Sequence, residues 1–334
     1  MSDPPLRVGV VGVGALGRHH VRLLAGLERV ELTGVYDLRQ EVARQVAAEF
    51  STRALATLDA LAEGAEAVVV AVPTVSHGAV AGKLLDLGLH VLVEKPITLD
   101  LESADRLLER AGDRVLAVGH VEFYNPAVAT LVAQSPRPRF LEVQRLSVWS
   151  PRSLDIDVIL DLMIHDLQIL HALDPSPVRE VRAAGVAVLS DRIDIANARV
   201  ELDSGCVANL TASRVSAERV RKLRLFSRER YYSLDYQEQT LRGYRLEDRS
   251  AGAVSVAAAP GEGPPGETGA GARRISALDL SVAREEPLRR ELEAFVDACR
   301  GVDVDYVDGA RGRSALATAL AIAGAAAGGG GGRA

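Results

Sequence analysis

Residues 7–17, Arg7-Val-Gly-Val-Val-Gly12-Val-Gly14-Ala-Leu-Gly17, decide the fold of this chain. An apolar, strand-like run leads into Gly-x-Gly-x-x-Gly, and a helical stretch over 16–27 follows. In that context the first glycine permits the tight turn and the second lets a pyrophosphate approach the backbone. The third lets helix and strand pack closely. The helix start adds N–H donors and a positive dipole end. Gly12, Gly14, Ala15, Leu16 and Gly17 are therefore candidate contacts for a dinucleotide. Asp37, twenty residues beyond Gly17, ends the next strand-like run. A carboxylate there takes the adenosine ribose hydroxyls and repels a 2′-phosphate, which favours NAD over NADP. Arg39 beside it pulls the other way.

Working outward, short β-rich runs over 7–13, 30–36, 66–72, 90–94 and 114–119 alternate with helical stretches over 16–27, 40–50, 76–87 and 101–110. Such alternation implies right-handed crossovers and a parallel sheet covered on both faces. After Asn125-Pro126 the pattern changes. A single helix over 157–173 precedes runs with period-two alternation and hairpin-like turns, the mark of a mostly antiparallel sheet. The expected fold is α/β: an N-terminal doubly wound Rossmann domain over 1–122, then an α+β substrate and oligomerisation domain over 123–308 on an open sheet. Residues 249–272, rich in Ala, Gly and Pro, read as a mobile insertion, and 326–334 as a disordered tail.

Bulk properties narrow the function. With 48% hydrophobic and 25% charged residues the composition is that of a soluble globular protein. A net charge of −6 gives no support to nucleic acid or an anionic membrane as a partner. Two distant cysteines, Cys206 and Cys299, fit a reducing compartment. With no leader or long apolar run, the expected location is the cytoplasm. His19-His20 invites a metal reading, but neighbours on a helix point about 100° apart and no third ligand stands near. No metal is expected.

The chemistry starts at His90-Val-Leu-Val-Glu94-Lys95-Pro96. Of 39 basic residues only Lys83, Lys95 and Lys222 are lysine. Arginine keeps its proton, whereas lysine shifts its pKa and can move one. Ligands of an open α/β sheet lie at the carboxyl ends of its strands. Pro73, Thr74 and His77 after the third run, and Glu94 with Lys95 after the fourth, are therefore further cofactor contacts. His120 and Asn125, after the fifth, are candidate contacts to substrate hydroxyls or else junction residues. The helix over 157–173 is almost wholly apolar, with a polar row of Asp157, Asp161, His165 and Gln168 at i, i+4, i+8 and i+11. Asp161 fixing the tautomer of His165, which takes a hydroxyl proton, would make a relay. Alone, these residues read as helix-start charges and a core histidine. Lys95 turns the reading to catalysis, with Lys95, His165 and Asp161 as the catalytic set, and either Lys95 or His165 as the base.

Glu94-Lys95-Pro96, Gly119-His120, Asn125-Pro126 and Asp161-x-x-x-His165 resemble, over nearly the whole chain, the glucose–fructose oxidoreductase / inositol dehydrogenase (Gfo/Idh/MocA) family. The resemblance implies a nicotinamide-dependent sugar or cyclitol oxidoreductase. It also implies a last helix, here 309–325, that returns to the Rossmann domain, and a Lys-Pro bond that is cis in some members. Residues 14–20, 119–126 and 161–167 are most similar to the UDP-N-acetylglucosamine 3-dehydrogenase subgroup. That implies oxidation at C3 of a nucleotide sugar and coupling to a PLP-dependent aminotransferase that makes 2,3-diamino sugars for lipid A. A diphosphate needs cations, and Arg145 and Arg152, flanking Trp149, can serve, with Arg214 a weaker candidate. A free-sugar or inositol dehydrogenase needs no such clamp, and an NAD-binding sensor or scaffold is the alternative outside enzymes. The open sheet needs cover, which predicts a homodimer or homotetramer.

Overall fold

The computed structural model describes residues 4–150, 156–248 and 273–328. The insertion over 249–272 and Arg152 lie outside the described residues.

The opening run forms β1 (Leu6–Val11), buried from Val8 onward because both faces are covered. It pairs in parallel with β2 (Val30–Tyr36) and β3 (Ala67–Val70). β4 (His90–Glu94) and β5 (Leu116–Gly119) continue the sheet in the order β2-β1-β3-β4-β5. The four valine and alanine side chains of β3 are all buried. The crossovers carry α1 (Ala15–Leu24), α2 (Gln40–Glu49), α3 (Leu58–Gly64), α4 (His77–Asp86) and α5 (Leu101–Ala111). α3 departs from the sequence expectation. It has seven residues, too few to display a helical period, and Thr57 caps it by accepting from the Ala60 N–H at 3.1 Å. The order reverses between β1 and β3, so the ligand crevice opens beyond their carboxyl ends.

The second unit opens with α6 (Pro126–Ala133), also unanticipated, and β6 (Phe140–Leu146). The expected long helix is instead a π-helical turn, Ile159–Met163, running into α7 (Ile164–Leu173). Asp157 Oδ1 accepts from the N–H groups of Ile159 and Leu160, both at 2.9 Å, so this carboxylate caps the helix start. Then come β7 (Val178–Val186), β8 (Ile195–Leu202), β9 (Val207–Ser213), β10 (Val220–Phe226), β11 (Arg230–Asp235), β12 (Thr240–Asp248) and β13 (Arg273–Leu278). The eight-stranded order is β13-β12-β11-β10-β6-β9-β8-β7, antiparallel throughout except for β6 with β9. One face, with Leu141, Val143, Leu210 and Leu223, joins the core that holds Ile164 and Leu167 of α7. The other carries Glu142, Asn209, Arg199 and Arg224 in one register row. Along the next row the rings of Phe140, Phe226, Tyr231 and Tyr244 follow one another at 6.0, 4.8 and 6.1 Å. Three of them, with Leu246 and Ile275, line a groove of about 530 Å³.

Two last helices return to the first sheet. α8 (Pro287–Cys299) places Leu292, Phe295 and Val296 in the core around Val8 and Val10. α9 (Gly309–Gly328) lies against α5 and β5, and against α7 and β7. It runs beyond 325 into the stretch expected to be a tail; residues 329–334 are outside the described set. Among the described residues no helix is long and apolar enough to cross a membrane.

Candidate active site

The glycine loop has the geometry its spacing asks for. Gly12 has φ +80°, and a Cβ on Gly17 would stand 1.8 Å from the Gly12 carbonyl oxygen, so no side chain fits there. A Cβ on Gly14 would meet only Arg39, at 3.9 Å, leaving its approach open to a pyrophosphate. α1 starts at Ala15 with no side-chain cap, and Leu16 is 44% exposed at its mouth. Asp37 closes the loop onto β2: its Oδ2 accepts from the Val13 N–H at 3.0 Å and its Oδ1 from the Arg39 N–H at 2.9 Å. Each oxygen keeps lone-pair capacity for a ribose hydroxyl. The loop fits NAD.

At the ends of β3 and β4 the predicted residues divide. Pro73 is exposed and Thr74 half-buried, beside the crevice. His77 is buried, its Nδ1 2.8 Å from the Pro96 carbonyl and its Nε2 2.9 Å from that of Val72. Burial lowers its pKa, and the neutral ring carries one N–H, so it donates to one of these two strand-end carbonyls. Glu94 is also buried, Oε1 at 2.7 Å from His20 Nε2 and Oε2 accepting the Lys95 N–H at 3.2 Å. It ties β4 to α1. The Lys95–Pro96 bond is cis.

Lys95 Nζ donates to Asp161 twice, to the main-chain oxygen at 2.5 Å and to Oδ1 at 3.0 Å. The side chains remain 15% and 18% exposed, so the pair borders open space. Asp161 thus orients the lysine and not His165, a correction to the expected relay. The π turn is the reason: its extra residue removes the alignment that four-residue spacing gives in an α-helix. The ring of His165 stands edge-on to that of His120, centroids 5.7 Å apart at 86°. Both His120 nitrogens and His165 Nδ1 are buried with no hydrogen-bond partner. Burial, and then the Lys95 charge, pushes His120 down to about 3. His165 is held well below its usual range by burial first, then by Lys95, Arg145, His120 and Arg221. At neutral pH both rings are uncharged, the state a proton acceptor requires.

Other predicted contacts belong to the framework. Asn125 caps α6 by accepting from the Ala127 N–H at 3.0 Å, and its amide donates to the Tyr236 carbonyl at 3.0 Å. The side chain thus bridges α6 to the residue that follows β11. Arg145 is 1% exposed and bonded to Asp166 and Glu122. Inward alternation with Leu141 and Val143 on β6 buries it, so it is no phosphate clamp, and that alternation was legible in the sequence. Arg214 is likewise committed, its Nε donating to Asp194 Oδ1 at 2.7 Å. Sequence reasoning missed Arg221 on β10, 37% exposed, 3.3 Å from Glu122 and close enough to depress His165. Among the described residues no cluster of His, Cys, Asp or Glu can hold a metal.

Known proteins share both the sequence pattern and the fold of this chain. A family model described as an oxidoreductase family with an NAD-binding Rossmann fold matches residues 6–120. The UDP-N-acetylglucosamine 3-dehydrogenase of Acidithiobacillus ferrooxidans is 43% identical over 320 residues, covering 95% of this chain and 96% of that protein. The chain belongs to the glucose–fructose oxidoreductase / inositol dehydrogenase family. It is an NAD-binding oxidoreductase. A solved structure of the same-named Acidithiobacillus ferrooxidans enzyme superposes with a TM-score of 0.84, at 41% identity, covering 97% of this chain and 98% of the other. The WlbA dehydrogenase of Bordetella pertussis, in complex with NADH and UDP-GlcNAcA, shares the fold at 17% identity, with a TM-score of 0.78 and coverage of 98% and 97%.

Proposed function

We propose that this oxidoreductase converts the C3 hydroxyl of UDP-N-acetylglucosamine to a ketone. The observation that carries the reading is the Lys95 ammonium, held by Asp161 beside an uncharged His165, in a chain 43% identical along its length to a UDP-N-acetylglucosamine 3-dehydrogenase. NAD, held by the Gly12–Gly17 loop and Asp37, supplies the hydride acceptor. Lys95 Nζ, with two of its donors on Asp161, has a third for the carbinol oxygen and stabilises negative charge that develops there. His165 accepts the hydroxyl proton at an unprotonated ring nitrogen, and His120 walls the same space. Asp161 keeps Lys95 aimed. Arg221, with Arg152, is assigned to the diphosphate.

In the same reading the chain divides near residue 122 into a cofactor unit and a substrate unit, and copies join through the aromatic row Phe140, Phe226, Tyr231 and Tyr244. The free thiols of Cys206 and Cys299 suit the reducing cytoplasm. The ketone passes to a PLP-dependent aminotransferase that supplies 2,3-diamino sugar for lipid A. The test is NADH formation on adding UDP-N-acetylglucosamine, myo-inositol or glucose, with an aminotransferase present to draw off ketone. Turnover with the nucleotide sugar is expected. Turnover of a free polyol with none for any nucleotide sugar would refute the substrate.

A further inference from the structure

We propose that Arg145 is a positioning residue, fixing the edge-to-face pair of His120 and His165 from behind. An active-site imidazole is ordinarily aimed by the hydrogen bond that its second nitrogen makes. Here His165 Nδ1 and both nitrogens of His120 have no partner, so that device is absent among the described residues. Each ring has a buried carboxylate close to it along the chain. Asp166 follows His165 directly on α7, and Glu122 lies two residues beyond His120 in the turn after β5. One guanidinium joins them. Arg145 Nε and Nη2 form a fork on Asp166 at 2.8 and 2.7 Å, and Nη1 donates to Glu122 Oε1 at 2.8 Å.

The group lies 4.9 Å from the centre of the Tyr236 ring, which limits its tilt. Three bonds from one planar, five-donor group to carboxylate side chains on two chain segments set the spacing of those segments, and with it that of the rings. The formal charges of Arg145 and Arg221 balance those of Glu122 and Asp166, so the network adds no net charge of its own. A lysine at position 145 offers a single point of charge and cannot reproduce a fork on one carboxylate with a third bond to another. The inference rests on the reading of His165 as proton acceptor only for its effect on turnover.

The test uses full-length protein with NAD bound, and the variants Arg145→Lys and Glu122→Gln. Imidazole ¹⁵N signals of both histidines are read alongside kcat, KM and NAD affinity. Arg145→Lys is expected to lower kcat about 10- to 100-fold while KM and NAD affinity stay within about threefold, because misaligned groups lose transition-state geometry before binding. Both imidazole signals should shift or broaden. Glu122→Gln, which leaves the fork on Asp166 intact, should move the His120 signal more than that of His165. Arg145→Lys with both signals unchanged and kcat within twofold of wild type overturns the proposal. If that variant does not fold, an unmoved His120 signal in Glu122→Gln overturns it. If wild type turns over no sugar, the proposed function fails, and the imidazole signals alone decide the role of Arg145.

Discussion

Lowering the pH from 7.5 to 5.0 should destabilise this protein through His120. The ring is buried, its pKa pushed down to about 3 by that burial and by Lys95, whereas in the unfolded chain it titrates near 6.5. A group with a lowered folded pKa contributes fully above its unfolded value and loses that contribution as pH falls. Below about 6.5 the unfolded state takes up a proton that the native state refuses. At pH 5.0 the unfolded chain is favoured by about 1.5 pH units of binding, roughly 2 kcal/mol at 1.36 kcal/mol per unit. His165 adds in the same direction, as do His77, His90 and His171, all lowered first by burial. Against a typical net stability of about 5–15 kcal/mol such a loss is large. Urea unfolding at both pH values, for wild type and His120→Gln, measures it. Wild type should lose several kcal/mol on acidification and the variant about 2 kcal/mol less. An identical pH-dependent loss in both proteins would refute the account of His120 as a buried neutral ring.

Lys95→Met should keep NAD affinity within about threefold while kcat falls by at least about 100-fold; retention of kcat within tenfold of wild type would remove Lys95 from the chemistry. Gly14→Ala should fold like wild type yet bind NAD about tenfold more weakly, because its new methyl points into the pyrophosphate approach. Gly17→Ala, meeting a carbonyl at 1.8 Å, should melt earlier even without cofactor. Equal thermal stability of the two variants would contradict that contrast. Tyr231→Lys with Tyr244→Glu should convert an oligomer to a monomer in size-exclusion chromatography, and a monomeric wild type would undo the assignment of the aromatic row to self-association.

Much of the first unit was legible because its signals are local. The glycine spacing, the apolar strands and the carboxylate at Asp37 each act within a few residues of where they are read. Lys95 was legible as a rare amine at a strand end, and so was its nearness to residues 161 and 165. Which of those two it pairs with was not. That depends on a π turn, and nothing in Ile159-Leu-Asp-Leu-Met163 distinguishes a five-residue from a four-residue hydrogen-bond step. The arginines failed for another reason. A guanidinium reads as a surface charge until its carboxylates are known, and those of Arg145 come from 23 positions before it and 21 after. His77 and Asn125 sit where ligands bind, and their polar atoms face main-chain carbonyls and a helix start that only the fold brings to them.

The return of the chain to the first sheet limits how the molecule can be dissected. The Val118 N–H bonds to the Val307 carbonyl at 2.9 Å, Ala117 bridges to Asp308, and Leu292, Phe295 and Val296 complete the core around β1. A gene fragment ending near residue 122 would therefore encode a nucleotide-binding sheet with one wall missing, and losing a single buried Phe or Leu from such a wall costs about 2–5 kcal/mol. A transplantable cofactor module from this protein has to be spliced from two pieces, with the segment from Pro287 through α9 tethered back to the N-terminal stretch.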